Sequence, residues 1–488
     1  PPPTYGSTCR MKHFFLLFLG GLSLLAADPP NVVVIQTDEH NLRTLGCYRD
    51  HMSPDQAFVW GKGNKVDTPH IDSLARDGLI CTNYFASSPV CTPSRASWVS
   101  GLYPQATGSP SNNLPLKDSV VTFAEVLRKR GYATSYLGKW HLDGDAKPGW
   151  APARKFGFSD NRFMFNRGHW KKFEVTKDGP RVAARQGGKP SYGLDGADEK
   201  SFATDWLVDR SLEILERDKK KPFCLMLALP DPHGPNTVRP PYDTMFDHLE
   251  FQQPVTMRKV LAALQNRPGW VTGSNAVKKL SQSTLSKYFG MVRCIDDNVG
   301  KILRFLEENN LTENTIVVFT SDHGDMMCEH CRMNKGLPYK TSVGIPFVLR
   351  YPAKVPAGKV IHTAYTTVDF FPTLMGLMGI TEGLPKFHGL NASVAFTNKK
   401  QEIAKDRVVY VRHSAGAWVA AFDHRYKLVL SKVDKPWLFD LEKDPDELRN
   451  FFGREDYEQV TNRLKKELFS QMKKFKEPAL TEGKLRLE

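Results

Sequence analysis

Asn31-Val32-Val33-Val34-Ile35-Gln36-Thr37-Asp38-Glu39-His40 opens on a continuous apolar run and closes on three ionisable residues. A segment apolar at successive rather than alternate positions reads as a strand covered on both faces, as in a parallel sheet with helices above and below. Residues 132–137, 223–229 and 315–320 share that form. Between these runs the apolar spacing predicts helices over His70–Asp77, Thr122–Arg130, Asp205–Arg217 and Ser286–Asn309. Strands alternating with helices predict an α/β fold with a mostly parallel central sheet flanked by helices.

The residues just past each strand are more informative than the strand itself. After the first come Asp38, Glu39 and His40; after the second, Gly138-Lys139-Trp140-His141. After the third come Asp231-Pro232-His233, and after the fourth Asp322-His323-Gly324-Asp325. Open α/β sheets collect their active groups at the carboxyl ends of strands. Asp38, Glu39 and Asp322 are hard oxygen donors suited to a divalent cation such as Ca2+, and His323 adds a nitrogen or supports the others. Helix capping is the alternative for Asp38 and Asp322, but their shared position at strand ends favours the cation. Lys139 and His141, two apart in an extended segment, point into one cleft. Lysine offers a compact charge for an oxyanion, and histidine exchanges protons near neutral pH. His233 is presented by a stiff proline-rich turn; taken alone, each of these three also fits a structural role.

Past about residue 375 the composition changes. Short strands are expected at Arg407–Val411, Ala417–Phe422, Lys427–Leu430 and Trp437–Leu441, then a charged amphipathic helix over Asp456–Phe475. This predicts a smaller α+β domain over 376–488, containing a short antiparallel sheet, appended to a catalytic domain over 28–375. Residues 151–200 are rich in Gly, Lys and Arg and carry Trp170 and Tyr192; an irregular insertion beside the site is expected, with a solvated loop as the alternative.

Met11, Lys12 and His13 precede a short apolar run that ends on Ala26-Ala27, the form of a secretory signal peptide. Residues 1–27 are therefore expected to be an upstream extension and signal, and the protein to be secreted or periplasmic, with no stable membrane anchor. The 488 residues carry a net charge of +14, which favours anionic partners. With neither zinc-finger spacing nor a long basic run, nucleic acid is not the expected one. Of eight cysteines Cys9 leaves with the leader; an odd seven in an exported chain leaves one thiol with another fate, unless several are simply free and buried. Cys328 and Cys331 form a solitary CxxC, expected to be a local disulfide or nothing rather than a zinc site.

Cys91-Thr92-Pro93-Ser94-Arg95, followed by Gly101-Leu102-Tyr103-Pro104, resembles the signature of the type I sulfatases, C-x-P-S-R and then G-x-x-P. The resemblance runs from Asn31 to about Asn450 and takes in DTPHIDSLARDGLICTNYFASSPVCTPSR, GKWHL, PDPHGP, FTSDHGD and the closing WLFDLEKDPDELRN, in the family's order. It implies an alkaline-phosphatase-like fold, a sulfatase acting on a sulfated carbohydrate, and Ca2+ (or Mg2+) held by Asp38, Glu39, Asp322 and His323 beside Cys91. It also implies that a dedicated maturing enzyme oxidises Cys91 to formylglycine, whose hydrate attacks sulfur. Arg95, Lys139 and Lys335 would support the charge, His233 would protonate the departing alcohol, and His141 would take the proton that regenerates the aldehyde. A cysteine nucleophile with a pKa lowered by Arg95 or His141, and an inert buried cysteine, are the competing readings of position 91. Counting five residues on from His330 and eleven back from Pro346 selects Lys335 over Lys340 as the family's late lysine. Position 340 carries lysine where relatives usually have an acid, and Glu39 stands where many have aspartate. A phosphate- or phosphonate-ester hydrolase on the same scaffold, or a non-catalytic carbohydrate-binding relative, are the rival functions.

Overall fold

The computed structural model describes residues 1–4, 6, 28–262, 267–271, 276–398 and 405–488. The expected signal segment, 11–27, lies outside them, as does Cys9.

Eight strands form the main sheet: β1 (Asn31–Asp38), β2 (Leu79–Cys81), β3 (Ala133–Lys139), β4 (Met164–Phe165), β5 (Phe223–Pro232), β6 (Thr315–Ser321), β7 (Phe347–Arg350) and β8 (Lys359–Ile361). Their order across the sheet is β8-β2-β7-β6-β1-β5-β3-β4. Only β7 runs antiparallel to its neighbours; all other pairings are parallel. The continuous apolar runs are explained by alternation between two cores. In β1, Val32 and Val34 enter one core and Val33 and Ile35 the other. Ile316 and Val318 of β6 likewise oppose Val317 and Phe319. With neither face wet, period-two polarity has no reason to exist.

Helices cover both faces. On one lie α1 (Pro69–Arg76), α4 (Ala203–Asp218) and α5 (Gln282–Glu308), whose Ile71, Leu207 and Ile302 meet β1 and β6. On the other lie α2 (Cys91–Ser100), α3 (Phe123–Arg128) and α6 (Phe370–Leu377). Thr122 starts α3 with a capping box: its hydroxyl accepts from the Glu125 N–H, while the Glu125 carboxylate accepts from the Thr122 N–H.

The C-terminal sheet is β9 (Val409–Arg412), β10 (Trp418–Phe422), β11 (Tyr426–Ser431) and β12 (Trp437–Asp440), antiparallel and in sequence order. One face, with Val411, Trp418 and Phe439, packs on Met326, Leu337 and Tyr339 of the main body. The other, with Tyr410, Leu428 and Leu438, packs on Leu464, Leu468 and Met472 of α7 (Glu458–Lys474). Ala392, Ala395 and Phe396 pack in the first core beside α6, while Ala364 and Val368 already pack with the C-terminal strands.

All seven described cysteines are free and buried, so Cys328 and Cys331 form no local disulfide. Within the insertion Trp170 turns inward: it is 3% exposed, packs in the second core, and its indole N–H donates to the Arg167 carbonyl at 2.8 Å. Residues 151–200 do hold hairpins, Phe173–Thr176 with Gly179–Val182 and Arg185–Gln186 with Lys189–Pro190. No helix among the described residues is long and apolar enough to cross a membrane.

Candidate active site

Four strand ends and one helix start converge. β1 delivers Asp38 and then Glu39, whose φ of 64° turns the chain sharply. β6 delivers Asp322 and His323, and the two ends are tied together: Asp322 Oδ1 accepts the N–H of Glu39 at 3.2 Å and of His323 at 2.9 Å. β3 delivers Lys139 and then His141, also at positive φ (60°). Such backbone in non-glycine residues is held only where the surroundings over-determine it. β5 delivers His233. α2 begins at Cys91, so residue 91 sits where the helix dipole favours negative charge.

Arg95 lies one turn along from Cys91 on the same helix face. Its Nε donates to Asp322 Oδ2 at 2.8 Å, one Nη to Asp38 Oδ2 at 3.2 Å and the other to the Lys139 carbonyl at 2.7 Å. One buried guanidinium therefore locks three strand ends. Cys91 Sγ lies 3.2 Å from His323 Nε2, 3.6 Å from Lys139 Nζ and 3.9 Å from Asp38 Oδ1. Burial pushes the Cys91 thiol up, but Lys139, Lys335 and His323 outweigh it and hold it well below the usual thiol range. Burial and Cys91 raise Asp38, yet Lys139, His233 and Arg95 keep it far below the normal carboxylate range. Burial lowers His323, and the Asp322 carboxylate overrides it, raising the imidazole to about 9.

Donor atoms of Asp38, Cys91, Asp322 and His323 lie within 4.8 Å of one another. Glu39, expected with them, is not among these four donors and faces the adjoining cations. Its carboxylate oxygens lie 2.9 Å from His233 Nε2 and 3.3 Å from Lys335 Nζ, because the turn at Glu39 sends its side chain to the cations beyond β5 and β6. Burial raises Glu39, but His233 and Lys335 bring it well below normal. Lys335 is the late lysine: its Nζ is 2.9 Å from His233 Nε2. Lys340 instead lines a separate cavity with Arg43 and Leu441.

His141 Nε2 contacts Asn113 Oδ1 at 3.2 Å, which assigns it as the donor and leaves Nδ1 as a buried, unpartnered acceptor. Its pKa is lowered, first by burial, against an interaction with Cys91 that raises it. His233 Nδ1 contacts the Gly234 carbonyl at 2.8 Å, so Nε2 is the working nitrogen.

Two site residues escape the sequence reading: Asn113, and above all His169. The His169 ring stacks on His233, its Nε2 accepts from Lys139 Nζ at 2.7 Å, and Asp38 Oδ2 is 3.9 Å away. Burial, Lys139 and His233 hold it well below the usual histidine range. The available signal was a histidine beside Trp170 in a cation-rich insertion.

The C-terminal sheet reaches into this centre through the loop that carries Lys335. Trp418 Nε1 donates to the Gly336 carbonyl at 3.2 Å, Lys427 Nζ to the Pro338 carbonyl at 2.5 Å, and the Lys340 N–H to Glu447 Oε2 at 2.8 Å. Lys427 and Glu447 form a buried ion pair.

A buried nucleophile position, three carboxylates, three cationic side chains (Arg95, Lys139, Lys335) and paired imidazoles describe a centre for transferring a tetrahedral oxyanion group. The chain matches the sulfatase family over residues 30–380 and the C-terminal family of N-sulphoglucosamine sulphohydrolase over 328–474. It is 25% identical to an N-acetylglucosamine-6-O-sulfatase of Bacteroides thetaiotaomicron over 95% of this chain and 91% of that one. It is 28% identical to an ulvan-active sulfatase of Formosa agariphila, over 89% of this chain and 79% of that one. A solved structure in complex with its substrate D-glucosamine-2-N,6-O-disulfate superposes with a TM-score of 0.72 at 22% identity, covering 92% of this chain and 99% of the other. With the family's match spanning most of the chain and laid over the residues that build this centre, the protein belongs to the sulfatase family and is a sulfuric ester hydrolase.

Proposed function

We propose that this sulfatase is exported and removes sulfate from a sulfated polysaccharide or oligosaccharide, using a formylglycine made from Cys91 and a divalent cation. The carrying observation is the placement of residue 91, at a helix start, between Lys139 and His323 and against Asp38. Cys91 is 2% exposed, so its oxidation by a formylglycine-generating partner has to precede folding. Sulfated-glycan specificity is supported by the names of the relatives above and by the net charge of +14.

The donor set fits a cation: two carboxylates and an imidazole face one point beside residue 91. Asp38, Asp322 and His323 would hold it, Ca2+ being the preferred ion for hard oxygen donors and Mg2+ the alternative. When bound, the ion supplies Lewis acidity at the oxygen of residue 91 and at the sulfate. Arg95 fixes the two carboxylates. Lys139 and Lys335 stand on either side to take charge from the sulfate oxygens, and His233 Nε2, held between Glu39 and Lys335, passes a proton to the leaving alcohol. The free Nδ1 of His141 would accept the proton of the second hydroxyl at residue 91 as the C–O bond to the transferred group breaks, which re-forms the aldehyde and releases sulfate.

Sulfate release from a panel of defined sulfated saccharides tests the reading, with matched phosphate esters alongside and the residue-91 peptide weighed in material from the native host. Release from a sulfated saccharide with formylglycine at 91 is expected. Faster phosphate turnover, or full activity with an unmodified thiol, would overturn it.

A further inference from the structure

The end of the sheet opposite the catalytic centre carries a second feature. β7 stops at Arg350, paired with Val317 near the start of β6. Beside it lies a cavity of about 720 Å3, lined by His70, Arg76 and Asp77 at α1, Arg304 and Glu307 on α5, then Thr312, Glu313 and Arg350. Arg350 is 7% exposed, and its Nε and Nη2 are closed off from solvent with no hydrogen-bond partner among the described residues. Thr312 Oγ1 is in the same condition.

Nε and Nη2 form the side-on fork of a guanidinium, which matches the two oxygens of a carboxylate or two oxygens of a sulfate. Elsewhere in this chain the fork is used in that way. Arg43 closes it on Glu329 at 3.0 Å for both bonds, and Arg239 closes it on Asp205 at 2.8 and 2.9 Å. Arg350 forms no such pair. Asp77 is bonded to Arg76 at 3.0 Å, and both Asp77 and Glu307 act on Arg350 only through longer-range attraction, without a hydrogen bond to its fork. Arginine keeps its proton at any working pH, so an empty buried fork is a standing cost until an acceptor arrives.

We propose that Arg350, with Thr312 beside it and Arg304 at the rim, forms a second, non-catalytic site for a carboxylate or sulfate group. Building on the saccharide reading of the catalytic centre, that group belongs to an acidic sugar of the polymer. Asp77, Glu307 and Glu313 offset the three arginines, so recognition rests on the fork and the hydroxyl rather than on long-range attraction.

The test uses the full chain with Cys91→Ala, so that nothing turns over, titrated calorimetrically with acetate, sulfate and a free hexuronate. Saturable uptake is expected, weakened at least about tenfold by Arg350→Met and also by Arg350→Lys, which keeps the charge and loses the fork. Sulfate also fits the catalytic centre, so Lys139→Ala is run in parallel and is expected to leave the Arg350-dependent uptake intact. Uptake unchanged in correctly melting Arg350→Met and Arg350→Lys variants, or lost in Lys139→Ala, overturns the proposal. Hexuronate held more tightly than acetate supports the saccharide as the source; equal affinities overturn that clause. Because binding is read without turnover, failure here is distinct from failure of the catalytic reading.

Discussion

His169 lies flat against His233, ring centroids 3.4 Å apart and planes within 4°. The stack fixes the face that His233 shows to a substrate, and the bond from Lys139 fixes His169 in turn. His169→Ala is expected to lower kcat for a sugar sulfate by about 10- to 100-fold, part of what a positioned acid contributes. An activated aryl sulfate, whose leaving group needs little protonation, should lose less. His169→Phe keeps the stack and should recover part of the loss. Equal losses for both substrate types would remove His169 from the leaving-group step.

Glu39 and Asp322 should separate cation binding from catalysis. Asp322→Asn is expected to abolish a cation measured by metal analysis of dialysed protein. Glu39→Gln should retain the ion yet lower kcat by about tenfold or more, because the carboxylate touches His233 and Lys335 instead. Loss of the ion in Glu39→Gln would place that side chain among its ligands.

The loop bearing Lys335 hangs from the C-terminal sheet, so a remote substitution should register in substrate binding. Trp418→Phe removes the indole bond to Gly336, worth about 1 kcal/mol, and also leaves a void in the buried face of the C-terminal sheet. The melting temperature is therefore expected to fall while the fold is kept, KM is expected to rise several-fold when assayed well below it, and the double variant with Lys335→Ala should show no further rise in KM. Additive effects in that cycle would mean that Trp418 acts elsewhere.

Stability should fall on the acid side through His388. Its Nδ1 accepts the Tyr103 N–H at 3.0 Å, and burial followed by the charge of Lys474 pulls its pKa down to about 4. A histidine lowered when folded binds fewer protons than when unfolded. Its contribution is therefore complete above about pH 6.5 and is lost as pH falls toward 4, about 1–2 kcal/mol after discounting its partial exposure. His388→Asn should flatten that part of the urea-unfolding profile; an unchanged slope between pH 6.5 and 4 would contradict it.

The sequence by itself determined the alternation of strands and helices and the strand-end positions of Asp38, Lys139, His233 and Asp322, and it carried the sulfatase resemblance at Cys91 to Arg95. These are local properties: a run of Val and Ile declares a doubly covered strand, and a contiguous signature is read without knowing what it folds against. Counting also separated Lys335 from Lys340. Tertiary structure alone decided that Glu39 leaves Asp38 to join His233, that His169 enters the centre from a cation-rich insertion, that Trp170 turns inward, and that Cys328 and Cys331 stay free. Each of these depends on what stands opposite in space. Glu39 meets Asp322 and Lys335 across nearly the whole catalytic domain, and no periodicity within either segment records which partner the other will supply.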